Sequence, residues 1–498
     1  MSEIKPPENG SGPGSDGSRA WGILLFVILF QIIYFALAFR QERLFIFEDD
    51  FIRLTYARYA LGHLFAIHPW GEWGWLPAMT LIQGLAAAAL PFGLVANVLL
   101  LNLAFVTGSI VLIERLAVRI APGPERMVGP ALFGLSPITA WLATSALSEP
   151  ATIFLLLLQC WLLVLYVETR HLLAFVGAVL AATVAMLIRF ESWFVNPVLL
   201  ALAVVLQARE DRGRAGLLAL VALPSLAAPL SWMAGQWIRF GDPLHTLNKM
   251  ASIHEPLNLR LSAAEVTGVM VEACSHVALP AWVLLVLGAI MSVAWLARGG
   301  WRQAWAWTPP GALFPLLAFL LLLFLFVYSV ATFRWGFPVH RFVLTWMAPA
   351  FPLLCVPLLY GGRRLVWACL GVVLIVSIAG FALVDRQRPD VYESHGVLAW
   401  KEVEAEVRAD RREPNAQIII PEGQAEYAAA SATVFAPSVS YDIIPVQDGA
   451  FLPAIKRSDA AFVVIHRRNF PGMEQLLSHD VFYQDGHYVV LVPRGAGP

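Results

Sequence analysis

Three consecutive carboxylates, Glu48, Asp49 and Asp50, follow the first long apolar segment of the chain. Ionisable side chains within a hydrophobic assembly are costly, and by default they indicate a functional site. A carboxylate in such a place can serve as a general base toward an acceptor hydroxyl. The same residues also have a structural interpretation, because negative charge favours the first turn of a helix and either aspartate can cap one. Both interpretations stay open at this point.

A further acidic residue, Glu149, lies in the sequence Ala-Leu-Ser-Glu-Pro at 146–150. Ser148 suits a helix N-cap and Pro150 the first helical turn, so Glu149 either stabilises a helix start or takes part in chemistry. Arg189 is a candidate substrate-binding residue. An ion pair between Arg189 and Glu191 at a helix end is the interpretation that we favour.

Arg334, His340 and Arg341 form a later basic group that flanks Trp-Gly-Phe-Pro at 335–338. Guanidinium groups bind phosphate bidentately and stabilise charge that develops on a leaving phosphate. Long basic side chains at a membrane edge also reach toward water without any chemical role. Together with a carboxylate base, these cations suit a reaction in which a lipid phosphate leaves a sugar carbon.

The composition shows which kind of scaffold must position these residues. Of the 498 residues, 58% are hydrophobic and only 14% are charged, and the mean hydropathy is +0.67. Ordinary soluble domains carry about 25% charged residues, so the chain is a multi-pass membrane protein. The net charge of −1 gives no indication of a nucleic-acid partner, and the four cysteines have neither disulfide-framework nor metal-ligand spacing.

A helix that crosses a membrane needs about 20 mostly apolar residues. The candidate spans lie near 21–40, 94–113, 127–144, 150–167, 172–188, 193–207, 216–234, 279–297, 312–331, 342–360 and 365–384. The apolar segment 75–90 is short and bounded by prolines, so we interpret it as an interfacial helix, with a twelfth span as the alternative.

The distribution of basic loops orients these spans. Without 75–90 as a span, the short Arg-rich loops collect on one side, which the positive-inside rule identifies as the cytoplasm. The candidate site residues then collect on the opposite, extracytoplasmic side together with the C-terminus. The N-terminus is cytoplasmic in this arrangement.

The chain divides into segments of different composition. Residues 1–20 are rich in Gly, Ser and Pro and are predicted to be a disordered cytoplasmic tail. Residues 21–384 form the transmembrane domain, with a first extracytoplasmic loop at 41–93. Residues 385–498 are predicted to form a soluble domain with a helix at 398–410 and strands at 417–421, 461–465 and 488–492. The fold class is therefore mainly α, a polytopic transmembrane helical bundle of about eleven spans with a small C-terminal α/β extracytoplasmic domain.

Several of these features together resemble a known superfamily. An acidic pair after the first span, a Tyr-Ala-Arg run at 56–58, the Trp-rich stretch at 70–75 and the Ala-Leu-Ser-Glu-Pro turn are similar to the GT-C glycosyltransferases. The nearest types within that superfamily are the bacterial protein-mannosyltransferases and aminoarabinose transferases. The resemblance covers the whole architecture, although its motifs are short.

The resemblance implies a function and a set of roles. It implies an inverting transfer of a sugar from a polyprenyl-phosphate donor to a lipid, glycan or protein acceptor, outside a bacterial inner membrane. Asp49, or its neighbour Asp50, corresponds to the catalytic carboxylate, Glu149 to the second-loop acid, and Arg334 or Arg341 to the residue on the donor phosphate. Glu48, Arg189 and His340 complete the substrate-binding candidates. The second loop has no Asp-x-Asp sequence, so a required divalent metal is not favoured.

Two other functions fit parts of the sequence. A transporter or flippase of a lipid-linked sugar would use the same charged groups as a pathway, but such proteins commonly contain internal repeats, and we find none in this sequence. A structural subunit of an envelope complex would leave the acidic first loop unexplained.

Overall fold

The computed structural model describes residues 13–40, 49–63, 76–248, 310–332, 340–356, 358, 362–387, 397–409, 412, 414–421, 431–432, 434–436, 438–446, 461–466, 479–484 and 488–493. The predicted span at 279–297 and the Trp-rich stretch at 70–75 lie outside the described residues.

The described part of the chain is mainly helical. In chain order its helices are α1 (Pro13–Arg40), α2 (Asp49–His63), α3 (Pro77–Ala89), α4 (Leu94–Ile120), α5 (Val128–Gly134), α6 (Pro137–Ala143), α7 (Glu149–Thr169), α8 (Leu172–Met186), α9 (Ser192–Ala208), α10 (Arg212–Ala222), α11 (Ala227–Phe240), α12 (Pro310–Thr332), α13 (His340–Met347), α14 (Gly362–Gln387) and α15 (Val397–Arg408). Short 3₁₀ segments lie at Pro124–Met127, Leu223–Leu226 and Ala348–Cys355.

Four helical stretches are long and apolar enough to cross a membrane, namely Ala20–Arg40, Leu94–Ile120, Glu149–Thr169 and Arg212–Phe240. Six further apolar stretches of 10–17 residues lie in other helices of the described residues, two of them within the longer helices α12 and α14. A membrane location is thus supported, whereas the count of about eleven spans is not confirmed. The segment predicted as interfacial is α3, whose 13 residues rise about 20 Å, less than the hydrocarbon core of a bilayer.

Prolines explain where the predicted spans differ from the structure. The span predicted at 127–144 is two helices, α5 and α6, because Pro137 begins the second helix and cannot continue the hydrogen bonding of the first. The carbonyl of Gly134 at this break accepts a hydrogen bond from the Gln31 side chain of α1. The span predicted at 342–360 likewise becomes α13 followed by a 3₁₀ segment that contains Pro352.

The N-terminal tail also differs from its prediction. Helix α1 begins at Pro13, so residues 13–20, predicted as disordered, are helical. Nucleating a helix is costly but extending one is cheap, so the apolar segment that begins near Trp21 can propagate backward through residues of weak propensity.

Helix α7 lies at the centre of the bundle and α1 at its edge. Within the apolar windows of these helices, 67% of α7 residues are buried but only 28% of α1 residues. Helix α7 packs against α4 and α8, and its Cys160 and Tyr166 are fully buried. Helix α1 instead exposes Trp21, Leu25 and Ile33, as a helix in contact with lipid does.

Helices α2 and α3 approach each other unusually closely. The Cα of Gly84 in α3 faces α2 so tightly that a Cβ there would lie 2.7 Å from the Cβ of Ala60 and 3.1 Å from the carbonyl oxygen of Ala57. Small residues on both helices permit this contact. Since α2 begins with the acidic pair, the contact with α3 helps to fix the position of that pair.

The C-terminal unit, residues 397–493, combines α15 with five strands: β1 (Asn415–Pro421), β2 (Ser440–Val446), β3 (Phe462–His466), β4 (His479–Gln484) and β5 (Tyr488–Pro493). The sheet order is β2-β1-β3-β5-β4. Strand β1 pairs in parallel with β2 and β3, whereas β5 pairs antiparallel with β3 and β4. Helix α15 packs on this sheet through the fully buried Trp400 and Val403.

The two strands that were not predicted, β2 and β4, are the edges of the sheet. Edge strands are commonly shortened, charged or interrupted by proline, so they lack the apolar run that reveals a central strand. Pro445 in β2 and the polar ends of β4, His479 and Gln484, follow this rule. The three predicted strands are β1, β3 and β5, and the predicted helix is α15.

Candidate active site

The acidic pair opens helix α2. Asp49 and Asp50 occupy its first turn, as predicted, and Glu48 lies outside the described residues. Phe51, Leu54, Ala57 and Ala60 are buried at every third position, so one face of α2 packs into the protein. Of the two aspartates, Asp49 is partly buried and Asp50 is fully buried.

Asp50 forms a direct hydrogen bond to the second loop, which lies between α6 and α7. Its Oδ1 accepts a hydrogen bond of 2.6 Å from the backbone N–H of Ala146, which follows it by 96 positions in the sequence. A carboxylate that accepts a backbone N–H makes a charge-assisted bond, which is stronger than a neutral one. Asp50 therefore joins the start of α2 to the segment that leads to Glu149.

Two buried amide side chains hold the same segment, residues 144–148 between α6 and α7. Gln83 of α3 donates its Nε2 to the carbonyl of Ala146 at 2.6 Å. Asn102 of α4 donates its Nδ2 to the carbonyls of Ser145 at 2.6 Å and Leu147 at 2.9 Å. Irregular backbone within a membrane protein is tolerated where protein groups satisfy its hydrogen bonds. We call residues 144–148, fixed in this way, the second-loop segment.

The sequence analysis did not identify Gln83 or Asn102. The available signal was the presence of amide side chains in largely apolar helices, one in α3 and two in α4, since Asn and Gln in such helices usually bond to another element. What the sequence could not supply was the identity of the partner, because Gln83 and Ala146 are 63 positions apart.

Glu149 follows the second-loop segment and belongs to a cluster of three charges. Arg189, between α8 and α9, places its Nη1 3.1 Å from the Oε1 of Glu149. The same guanidinium binds Glu191 in a two-pronged contact, with Nη2 to Oε1 at 2.6 Å and Nε to Oε2 at 3.2 Å. The predicted pair of Arg189 and Glu191 is thus confirmed, and Glu149 is a second partner that was not predicted.

This charge cluster is largely removed from water. The side chain of Glu149 is 2% exposed, that of Arg189 13% and that of Glu191 19%. Burial by itself disfavours the charged guanidinium, but the carboxylates of Glu191 and Glu149 outweigh it and hold the pKa of Arg189 above its ordinary value. Arg189 consequently stays charged and fixes the Glu149 carboxylate in place.

Ser148 does not cap α7 in the way that its position suggests. It occupies the N-cap position, but its side chain makes no hydrogen bond to the backbone of the helix. Its Oγ instead lies 3.5 Å from the Nη1 of Arg189. Glu149 remains in the first turn of α7, where its charge is also favourable for the helix.

The structure therefore links the two sequence-predicted acidic positions through the second-loop segment. Asp50 bonds to Ala146, and Glu149 is three residues further along the same segment. Arg334 lies outside the described residues, and so do the side chains of His340 and Arg341, which begin α13. Among the described residues, no three His, Cys, Asp or Glu side chains form a group that could bind a metal ion.

The fold of the chain is similar to the folds of solved GT-C membrane glycosyltransferases, so the predicted resemblance is confirmed at the level of the fold. No family profile and no curated protein sequence matches the chain. The similarity is instead to solved structures, and at their low sequence identities it concerns the fold alone.

Three such structures show how far the similarity extends. ArnT from Cupriavidus metallidurans in the apo state has a TM-score of 0.60 and 14% identity, covering 96% of this chain and 100% of that one. The same protein bound to undecaprenyl phosphate has a TM-score of 0.58 and 12% identity, covering 96% and 99%. An oligosaccharyltransferase from Archaeoglobus fulgidus, tethered to an acceptor peptide, has a TM-score of 0.50 and 11% identity, covering 90% and 69%.

Proposed function

We propose that this protein is an integral membrane glycosyltransferase that transfers a sugar from a polyprenyl-phosphate donor to an envelope acceptor. The acceptor is a lipid, a glycan or a protein, and the reaction takes place on the extracytoplasmic face of a bacterial inner membrane. The proposed orientation has the N-terminus in the cytoplasm and the C-terminal unit outside. One observation carries the proposal: in a fold similar to that of membrane glycosyltransferases, Asp50 of the first loop bonds to the second-loop segment, which leads directly to Glu149.

The proposed reaction is an inverting displacement at the anomeric carbon. A carboxylate takes the proton of the acceptor hydroxyl, the acceptor oxygen bonds to the sugar carbon, and the bond from that carbon to the phosphate oxygen breaks. The electron pair leaves with polyprenyl phosphate, whose developing charge needs cationic groups. Arg334 or Arg341 is the proposed contact for that phosphate, and Glu48 and His340 are the proposed neighbours of the substrates.

The contacts of the acidic pair support Asp49 as the base. The Oδ1 of Asp50 is already bonded to the backbone of Ala146, and the residue is fully buried. Asp49 is only partly buried and begins the helix, so its carboxylate is the more accessible of the two. We assign Asp50 the role of fixing the second-loop segment.

Glu149 is proposed to shape the acceptor site, with Arg189 as the residue that positions it. The sequence analysis predicted Arg189 as a substrate-binding residue. We propose a positioning role instead, because its guanidinium already contacts Glu149, Glu191 and Ser148. A divalent metal is not favoured for the proposed reaction, since the second loop lacks an Asp-x-Asp sequence.

The test is release of free polyprenyl phosphate. The purified full-length protein is incubated with labelled polyprenyl-phosphate sugars and a membrane extract that supplies acceptors. Asp49→Asn is expected to reduce release by about a hundredfold or more, the usual loss when a general base is removed. Asp211→Asn is the matched control, because Asp211 also begins a helix, where it accepts the N–H of Arg214 at 3.0 Å, and asparagine caps equally well.

Two results would contradict the proposal. Release at the parent rate by Asp49→Asn would show that Asp49 is not the base and would direct attention to Glu149. Absence of release from every donor tested, with lipid movement across vesicles instead, would identify a transporter.

A further inference from the structure

An aromatic contact joins the acidic helix to the C-terminal unit. Phe51, the residue after Asp50, is fully buried in α2. Its ring meets the ring of Phe435 edge to face, with the centroids 6.0 Å apart and the planes at 71°. Phe435 lies in the short helical piece at 434–435, which precedes β2 in the chain.

Neighbouring residues extend this contact into a packed patch. Val397, at the start of α15, and Val434 are both buried in the same apolar cluster as Phe51. Phe435 packs against that cluster and also against the core of the C-terminal unit. The Nζ of Lys401 lies 6.0 Å from the centre of the Phe435 ring, within the range of a cation–π interaction. Phe435 thus belongs to two hydrophobic cores at once.

The first turn of α2 is consequently held from two directions. Asp50 binds it to the second-loop segment through Ala146, and Phe51 binds it to the C-terminal unit. Asp49 immediately precedes these two residues, Asp50 and Phe51, in the chain. Because a helix rises only about 1.5 Å per residue and its first turn moves as a unit, a shift at Phe51 displaces the Asp49 carboxylate as well.

We propose that the C-terminal unit orients Asp49 through the contact between Phe51 and Phe435, which makes Phe435 a positioning residue. This inference rests on the proposed function, since it concerns the carboxylate that acts as base there. It gives the C-terminal unit a role in the transfer step that does not require it to touch either substrate.

The test compares three full-length variants in lipid nanodiscs. Phe435→Ala removes the ring, and Phe435→Leu restores much of its volume. Phe482→Ala is the matched control, because Phe482 packs edge to face on Phe462 at 6.0 Å inside the C-terminal unit. The two measurements are hydrogen–deuterium exchange of the α2 amides at 53–57, and the rate of polyprenyl phosphate release as a function of donor concentration.

Phe435→Ala is expected to speed exchange of the α2 amides and to lower kcat by about tenfold, because small misplacements of reacting groups are costly in rate. The donor KM should change much less than kcat, and Phe435→Leu should recover most of the rate. Phe482→Ala should leave exchange in α2 at the parent rate. A purely structural role of Phe435 would not produce this separation of kcat from KM.

Three outcomes would overturn the inference: unchanged exchange in α2 of Phe435→Ala, faster exchange with parent kcat, or the same effects from Phe482→Ala. A parent protein that releases no polyprenyl phosphate contradicts the proposed function instead. In that case the exchange comparison alone still decides whether the C-terminal unit holds α2.

Discussion

The charge cluster of Glu149, Arg189 and Glu191 allows a quantitative test with a double-mutant cycle. Two carboxylates share one guanidinium in this cluster, and Glu149 is the more deeply buried of the two. Arg189→Gln removes the guanidinium that pairs with the buried Glu149 carboxylate. Glu149→Gln leaves Arg189 with the two-pronged contact to Glu191, so its effect should be smaller.

The burial of each side chain determines how much each substitution should lower the free energy of unfolding. Breaking a buried ion pair by removing one partner costs about 3–5 kcal/mol, and we expect this for Arg189→Gln because Glu149 is only 2% exposed. Glu149→Gln should cost about 1.5–3 kcal/mol, the value of one hydrogen bond to a charged group. Replacing both charges together is much less damaging than the sum, so the coupling free energy should be about 2 kcal/mol.

The free energy of unfolding is measured by titrating each purified variant with SDS and following tryptophan fluorescence. The pair of Arg119 and Glu168 is the control, since its separation is a similar 2.9 Å but its side chains are 43% and 27% exposed. Exposed pairs couple by about 0–1 kcal/mol. Equal coupling in the two pairs, or strictly additive losses at Arg189 and Glu149, would refute the burial argument.

Further predictions concern the second-loop segment, the α2–α3 contact and metal dependence. Asp50→Ala leaves the buried N–H of Ala146 without its acceptor and should lower stability by about 1–3 kcal/mol, measured by SDS titration, whereas unchanged stability would contradict the anchoring role. Gly84→Ala overpacks the helix contact and should destabilise by about 1–3 kcal/mol, while Gly216→Ala, which has open space around it, should be neutral or stabilising. Release of polyprenyl phosphate should continue at the parent rate after treatment with EDTA, and loss of activity that magnesium restores would show a metal requirement.

The sequence predicted those elements whose signal is local. Apolar runs predicted the long helices α1, α4 and α7, and short β-branched runs predicted the central strands. The same logic was wrong at 127–144, where hydropathy hides the break before Pro137, and it missed the edge strands, whose polar residues carry no apolar run. Local composition therefore identified the interior elements better than the interrupted or peripheral ones.

The site was predicted in part for the same reason. Asp49, Asp50 and Glu149 were recognisable because acidic residues are costly among apolar helices. Their relation to one another was not recognisable, because it depends on Gln83 and Asn102, amides from two other helices, and on a hydrogen bond between Asp50 and Ala146. Arg189 was assigned one partner from its neighbour in sequence, and the structure adds a second from a different helix.

By itself, the sequence determined that the chain is a membrane protein and where most of its helices lie, because nearly every residue of a membrane span must be apolar. For the same reason it determined which residues are chemically unusual, namely the charged ones near those spans. Only the tertiary structure decided which unusual residues meet. Hydrogen bonds and ion pairs act over about 3 Å and are indifferent to distance along the chain. The anchoring of Asp50, the cluster around Arg189 and the contact of Phe51 with Phe435 therefore exist only once the helices have packed.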